Sequence, residues 1–264
     1  MITGLVLIIT GLLVGLMSSF FGLGGGVLIV PSLTSLFPTM EARGIIGVSL
    51  GVISLNSILN IFIYKKIKLI PEKLEIVSIF LGCLFGALIG GQLLSIFDQK
   101  TIKLIFAVSL ILAILKNIVS TNNAGYSQDE YSKVLLFFIA FGGSILSAVT
   151  GLGGGIIFVP LFINILKIPT RKIPSYSNIA MFFACTIGFI PHLLVDKTQG
   201  PISETIGFGQ FGRIDFFAVL IIFIGTSLSS RFGARINMTI KASNKVIVLN
   251  TVLVILAIKM IIEI

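Results

Sequence analysis

The sequence predicts an all-α polytopic membrane protein, an inverted repeat of two five-segment halves, each with a helical hairpin interrupted by the motif GLGGG. Three observations predict it. The chain has 264 residues, of which 56% are hydrophobic and 11% charged, whereas a soluble globular domain carries about 25% charged residues. Ten apolar stretches run along it, separated by short polar or glycine-rich breaks. The pentapeptide occurs twice, as Gly22, Leu23, Gly24, Gly25, Gly26 and as Gly151, Leu152, Gly153, Gly154, Gly155.

The apolar stretches cover residues 2–20, 25–38, 44–64, 74–96, 102–119, 132–149, 154–167, 174–194, 214–231 and 245–262. In lipid each must be helical, because unpaired backbone groups find no water there. A full crossing needs about 20 residues. The second and seventh stretches, at about 14 residues and about 1.5 Å each, reach only about 21 Å. The first stretch is not read as a signal peptide: no Lys or Arg precedes Arg43 and no polar region follows the apolar run.

Between Ser18–Pro31 and Ser147–Pro160, at an offset of 129, eight of fourteen positions are identical. They are the serine, the five motif residues, a valine and the proline. The chain therefore divides into a first repeat over 1–119, a linker "STNNAGYSQDE" over 120–130, and a second repeat over 131–264. An odd number of segments per half inverts one half relative to the other, and the charges support this. With alternating boundaries, thirteen of the nineteen Lys and Arg residues fall on one side. The richer side, with the linker, is expected to be cytoplasmic and both termini outside. The same parity describes five crossings or a re-entrant hairpin followed by three, and the short second arm favours the hairpin.

Four glycines in five positions interrupt a helix, since each permits φ > 0 and costs roughly 0.5–1 kcal/mol in a helix interior. The helix that follows begins near Gly25 or Gly154, with unpaired N–H groups and the positive end of its dipole at the break. Two such termini arriving from opposite faces suit one small oxyanion near the membrane midplane. Close helix packing is the competing reading for glycines, and it is preferred for Gly82, Gly86 and Gly90. A phosphate loop fails because no Lys follows the glycines, and a dinucleotide fingerprint fails on spacing.

Other polar candidates at membrane depth are few. Ser18 and Ser147 precede the motifs by four residues, and Thr150 abuts the second motif. Ser49, Asn56 and Asn60 share one helical face. The 129-residue offset pairs them with Asn178, Cys185 and Phe189. Interhelical hydrogen bonding competes with substrate binding for all of these. Arg43, Lys172 and His192 lie near segment ends and are vestibule candidates, with snorkelling or packing as the alternative. Cys83 and Cys185 read as small hydrophobes.

At "GLGGGVLIVP" and "GLGGGIIFVP" the sequence resembles the sulfite exporter TauE/SafE family over nearly its whole length. It departs from the family's small-residue pattern after the second motif, where "SYSNIAMFF" stands. The resemblance implies a multi-pass transporter of the prokaryotic plasma membrane for sulfite, sulfoacetate or another organosulfonate, with the two motifs as substrate-site elements. A channel or uniporter for another anion stays open beside a coupled carrier working by alternating access, and so does a homodimer.

Composition weighs against other classes. The net charge of +9 is spread over segment ends, which fits membrane orientation better than nucleic-acid binding. An enzyme would want an acid pair, a metal cluster or a Ser/His arrangement at depth. All acids sit at segment ends or in loops, and one histidine cannot build a usual zinc site. No metal, no cofactor and no essential midplane proton carrier are expected. The expected partners are a small anion and the lipid bilayer. A non-transporting assembly protein is the remaining alternative.

Overall fold

The apolar stretches fold as helices whose ends follow the local capping chemistry. The computed structural model describes residues 2–37, 40–98, 100–102, 104, 105, 108, 131–194, 210, 211, 214–240, 251 and 254. Among them lie α1 (Ile2–Phe21), α2 (Gly26–Leu36), α3 (Ala42–Lys66), α4 (Lys73–Ile96), α5 (Lys133–Thr150), α6 (Gly155–Asn164), α7 (Ile173–Leu194) and α8 (Phe216–Thr239). The 120–130 linker lies outside the described residues, as do most of the fifth and tenth stretches.

Six of these helices, all but α2 and α6, are long and apolar enough to cross a membrane. With 11 residues α2 reaches about 16 Å and with 10 residues α6 about 15 Å, roughly half of a hydrocarbon core of about 30 Å. Glu72 and Glu75 form a reciprocal capping box that starts α4. Ser132 Oγ accepts from Leu135 N–H at 3.4 Å to start α5. Asp215 Oδ1 accepts from Phe217 and Ala218 N–H at 2.9 and 3.0 Å to start α8. A two-residue antiparallel pairing of Gln210–Phe211 (β1) with Ile214–Asp215 (β2) leads into it.

One boundary differs from the sequence expectation. The ninth apolar stretch ends at residue 231, yet α8 runs on to Thr239 with Arg231 and Arg235 exposed in its last turns. Their long side chains leave the helix intact while placing the charge at its rim.

The packing exchanges the halves. α1 lies along α8 as α5 lies along α4; α3 packs on α8 as α7 packs on α4; α3 and α7 pair with each other and are the most buried of the spans. Small residues allow these close approaches. A Cβ on Gly11 or Gly15 would collide with the carbonyl oxygens of Ile222 and Thr226, and one on Gly82 or Gly86 with those of Phe137 and Phe141. At Gly90 it would stand 2.6 Å from Ile145 O. Gly82, Gly86 and Gly90 are thus contact glycines, as expected. Beside each motif the halves trade volume. Val14 and Ile29 are fully buried in the first, whereas the second has Gly143 and Phe158, whose ring fills the space that the missing side chain leaves. Native packing density is kept at both places by opposite means.

Candidate substrate-binding site

Both helices that precede a motif end the same way. Gly22 and Gly151 adopt the left-handed conformation and return their N–H groups to Ser18 O at 2.8 Å and Ser147 O at 2.9 Å. The second and third glycines are left-handed too: φ is 80° and 78° at Gly24 and Gly25, and 77° and 73° at Gly153 and Gly154. Residues with a Cβ resist this region by about 1–2 kcal/mol. The first bonds of α2 run from Leu28 and Ile29 to Gly25 O, and those of α6 from Ile157 and Phe158 to Gly154 O. The N–H groups of Gly26, Val27, Gly155 and Ile156 therefore have no acceptor within their helices, and the positive dipole ends face the breaks.

The two breaks touch. A Cβ on Gly26 would collide with Gly151 O and stand 2.7 Å from Leu152 Cα; one on Gly155 would collide with the Leu23 carbonyl and stand 2.6 Å from Leu23 Cα. The fifth residue of each motif is thus the contact point with the other. α3 and α7 clamp the pair: Ser49 Oγ donates to Gly151 O at 2.6 Å, and Ser177 Oγ donates to Gly22 O. Ile53 reaches both motifs, within 3.4 Å of a Cβ position on Gly24 and 2.9 Å of one on Gly153, while Met181 Sδ lies against Gly24.

These contacts shift one expected correspondence. Ile53 follows Gly26 by 27 residues and Met181 follows Gly155 by 26, so contact pairs Ser49 with Ser177 and Ile53 with Met181 at an offset of 128. Ser49, Asn56 and Asn60 then correspond to Ser177, Ala184 and Gly188, rather than to Asn178, Cys185 and Phe189. One residue fewer separates motif and helix in the second half.

The remaining candidates sort by their bonds. Asn60 is a hub: Nδ2 donates to Asn178 Oδ1 at 2.9 Å and Ser18 Oγ at 3.3 Å, and Oδ1 accepts from Ser19 Oγ at 2.6 Å. Asn178 Nδ2 donates back to Pro174 O at 2.6 Å, and Tyr64 OH donates to Ser19 O at 2.8 Å. Ser18, Asn60 and Asn178 therefore form interhelical bonds. Ser147 Oγ stands 3.7 Å from Cys185 Sγ. Thr150 Oγ1 donates to Leu146 O at 2.6 Å and accepts from Leu152 N–H at 3.3 Å, so it caps the break. Asn56 Oδ1 accepts from Ser230 Oγ at 2.9 Å.

Of the vestibule candidates, Arg43 donates to Phe97 O at 2.9 Å and lies 3.8 Å from Glu41 Oε1. Lys172 is exposed, and His192 is buried against Gly47. Sequence reasoning missed Ser177, Ile53 and Met181. It also missed that Glu75, although in the first turn of α4, is buried and accepts from Tyr176 OH at 2.7 Å, which ties α4 to α7. Among the described residues no three His, Cys, Asp or Glu stand together as a metal site.

A sequence model of the sulfite exporter TauE/SafE family matches residues 7–260, a range that contains both motifs and every helix clamping them. The chain belongs to the sulfite exporter TauE/SafE family. It is 29% identical over 236 residues to a probable membrane transporter protein of Haemophilus influenzae, covering 88% of this chain and 85% of that one. A probable membrane transporter protein of Methanocaldococcus jannaschii is 29% identical over 253 residues, covering 94% and 91% of the two chains. One from Bacillus subtilis is 25% identical over 282 residues, covering 98% and 97%. No solved structure matches the chain. TauE/SafE membership and these relatives indicate a multi-pass membrane transporter and not an enzyme.

Proposed function

We propose that the protein moves a small sulfur-containing anion, such as sulfite, sulfoacetate or another organosulfonate, across a prokaryotic plasma membrane by alternating access. The anion binds between the two GLGGG motifs near the midplane, held by backbone N–H groups at the starts of α2 and α6. Gly22–Gly26 and Gly151–Gly155 carry the site, with Ser49 and Ser177 fixing the backbone around it. The two repeats, 1–119 and 131–264, are inverted about the site, with the linker cytoplasmic and both termini outside. Rocking of one half against the other then exposes the same site to either face.

The observation that carries this reading is the reciprocal contact of two helix breaks, each followed by a half-helix whose first N–H groups lack internal acceptors. A lysine is not needed to hold the anion, because oriented backbone amides and two dipole ends supply the positive potential. No Asp or Glu of the described residues lies in the middle of a span, so any proton dependence arises from the substrate's own protonation or from His192. The test is uptake by proteoliposomes of sulfite, sulfoacetate and sulfate, with and without imposed Na⁺ and H⁺ gradients. Saturable uptake of at least one sulfur anion is expected. Uptake of none, by protein shown to be folded and inserted, rejects the reading.

A further inference from the structure

The α3 face toward the motifs holds two hydrogen-bonding groups that the fold does not use. Four residues before Ile53, Ser49 is committed to Gly151 O. Further along, Asn60 is saturated, with both its donors and its acceptor engaged. Between these layers lie Asn56 and Ser57, at i+3 and i+4 from Ile53 and hence on its side of the helix. Both are fully buried. Asn56 Nδ2 and Ser57 Oγ make no hydrogen bond among the described residues.

Their position relative to the motifs follows from the second half. At the 128-residue offset fixed by contact, Ser57 corresponds to Cys185, whose Sγ lies 3.6 Å from a Cβ position on Gly153 and 3.7 Å from Ser147 Oγ. By that correspondence Ser57 falls on the side of α3 that Ile53 presents to the first motif. Unpartnered buried polar groups keep the full penalty of leaving water, and native proteins keep few of them. Two adjacent in sequence, one turn from the residue that touches both motifs, point to a ligand as the missing acceptor.

We infer that Asn56 Nδ2 and Ser57 Oγ donate hydrogen bonds to oxygens of the transported anion. They form a donor step next to the motif amides that sets affinity and orientation. This rests on the anion site proposed above and adds the side chains that read the ligand. At the corresponding positions the second half has no donor of comparable strength, a thiol being only a weak one. Ala184 and Cys185 stand in their places, so the bound anion turns its oxygens toward α3 and its less polar part toward α7.

The test separates ligand recognition from structure. If the two groups served only the fold, Ser57→Ala and Asn56→Leu would leave anion binding as it is. The proposal instead expects both variants to be as stable as the wild type or more so, because a buried unpaired group is removed, while affinity falls roughly tenfold for each lost charge-assisted bond. Asn56→Leu also removes the contact with Ser230 Oγ, which keeps Thr226 O as an acceptor at 2.7 Å, so Ser57→Ala is the cleaner variant and Ser230→Ala the control, with unchanged affinity expected. The measurement is the shift in melting temperature of purified protein titrated with sulfite, sulfate, sulfoacetate and methanesulfonate. Wild-type affinity in Ser57→Ala and Asn56→Leu overturns the inference and leaves the anion site standing. Loss of affinity confined to Gly154→Val does the same. If none of the four anions shifts the wild type, site and inference fall together.

Discussion

Two sets of glycines in this molecule look alike in sequence and differ in what they permit. Gly82, Gly86 and Gly90 recur every four residues along α4, keep ordinary helical backbone, and let it approach α5 until carbonyl oxygens fill the space of a side chain. Gly22, Gly24 and Gly25, like Gly151, Gly153 and Gly154, have positive φ and end one helix to start another. Adding a methyl group thus acts in two ways. On α4 it pushes helices apart, whereas in a motif it opposes the backbone conformation that aims amide groups at the break. Spacing alone separates a contact stripe from a candidate binding element: every fourth residue in the first, four in five in the second.

The largest expected effect is on the motif side. Gly25→Val and Gly154→Val should abolish anion uptake by reconstituted protein, since a β-branched residue resists positive φ and would collide with Val14 in the first half. Size-exclusion profiles must accompany the assay. Monodisperse protein with normal flux would break the distinction between the two glycine sets.

A smaller and different effect is expected on α4. Gly86→Ala should lower stability by about 1–3 kcal/mol through overpacking, read as an earlier thermal transition in detergent. Flux per folded molecule should remain within about a factor of two, because no backbone group at the break is moved. If Gly86→Ala removes flux at unchanged stability, the stripe carries function as well.

The smallest effect concerns the clamps. Ser49→Ala and Ser177→Ala each leave one motif carbonyl without its side-chain donor, at a cost of about 0.5–1.5 kcal/mol. The two should weaken anion affinity by similar factors, as they hold corresponding carbonyls of the two motifs. A strong effect from one serine and none from the other would show that only one half shapes the site.

Local rules made part of this legible in the sequence. The doubled motif with its proline, the short second and seventh stretches and the contact role of Gly82, Gly86 and Gly90 follow from conformation at glycine, length against bilayer thickness, and small-residue spacing. The end of α8 does not, since Arg231 and Arg235 end an apolar stretch without ending a helix. Nor does the one-residue slip between α3 and α7, because few identities mark the register beyond Pro31 and Pro160. Ser177 is hidden for that reason, aligned against Val48 instead of Ser49. Ile53 and Met181 look like any core residue, and only the fold shows that they close on the motifs. Polarity alone also does not show that Ser18 and Asn178 both bond to Asn60.

Whether the anion sits between the two motifs can be read from labelling at the clamps. Ser49→Cys and Ser177→Cys place a thiol beside Gly151 and Gly22, against a background of two buried native cysteines. A saturating transported anion should slow modification of both thiols by a small maleimide at least severalfold. The same anion should leave a cysteine at an exposed lipid-side position such as Leu88 unaffected. Equal modification rates at both clamps, with and without an anion that the protein demonstrably transports, would place the anion elsewhere.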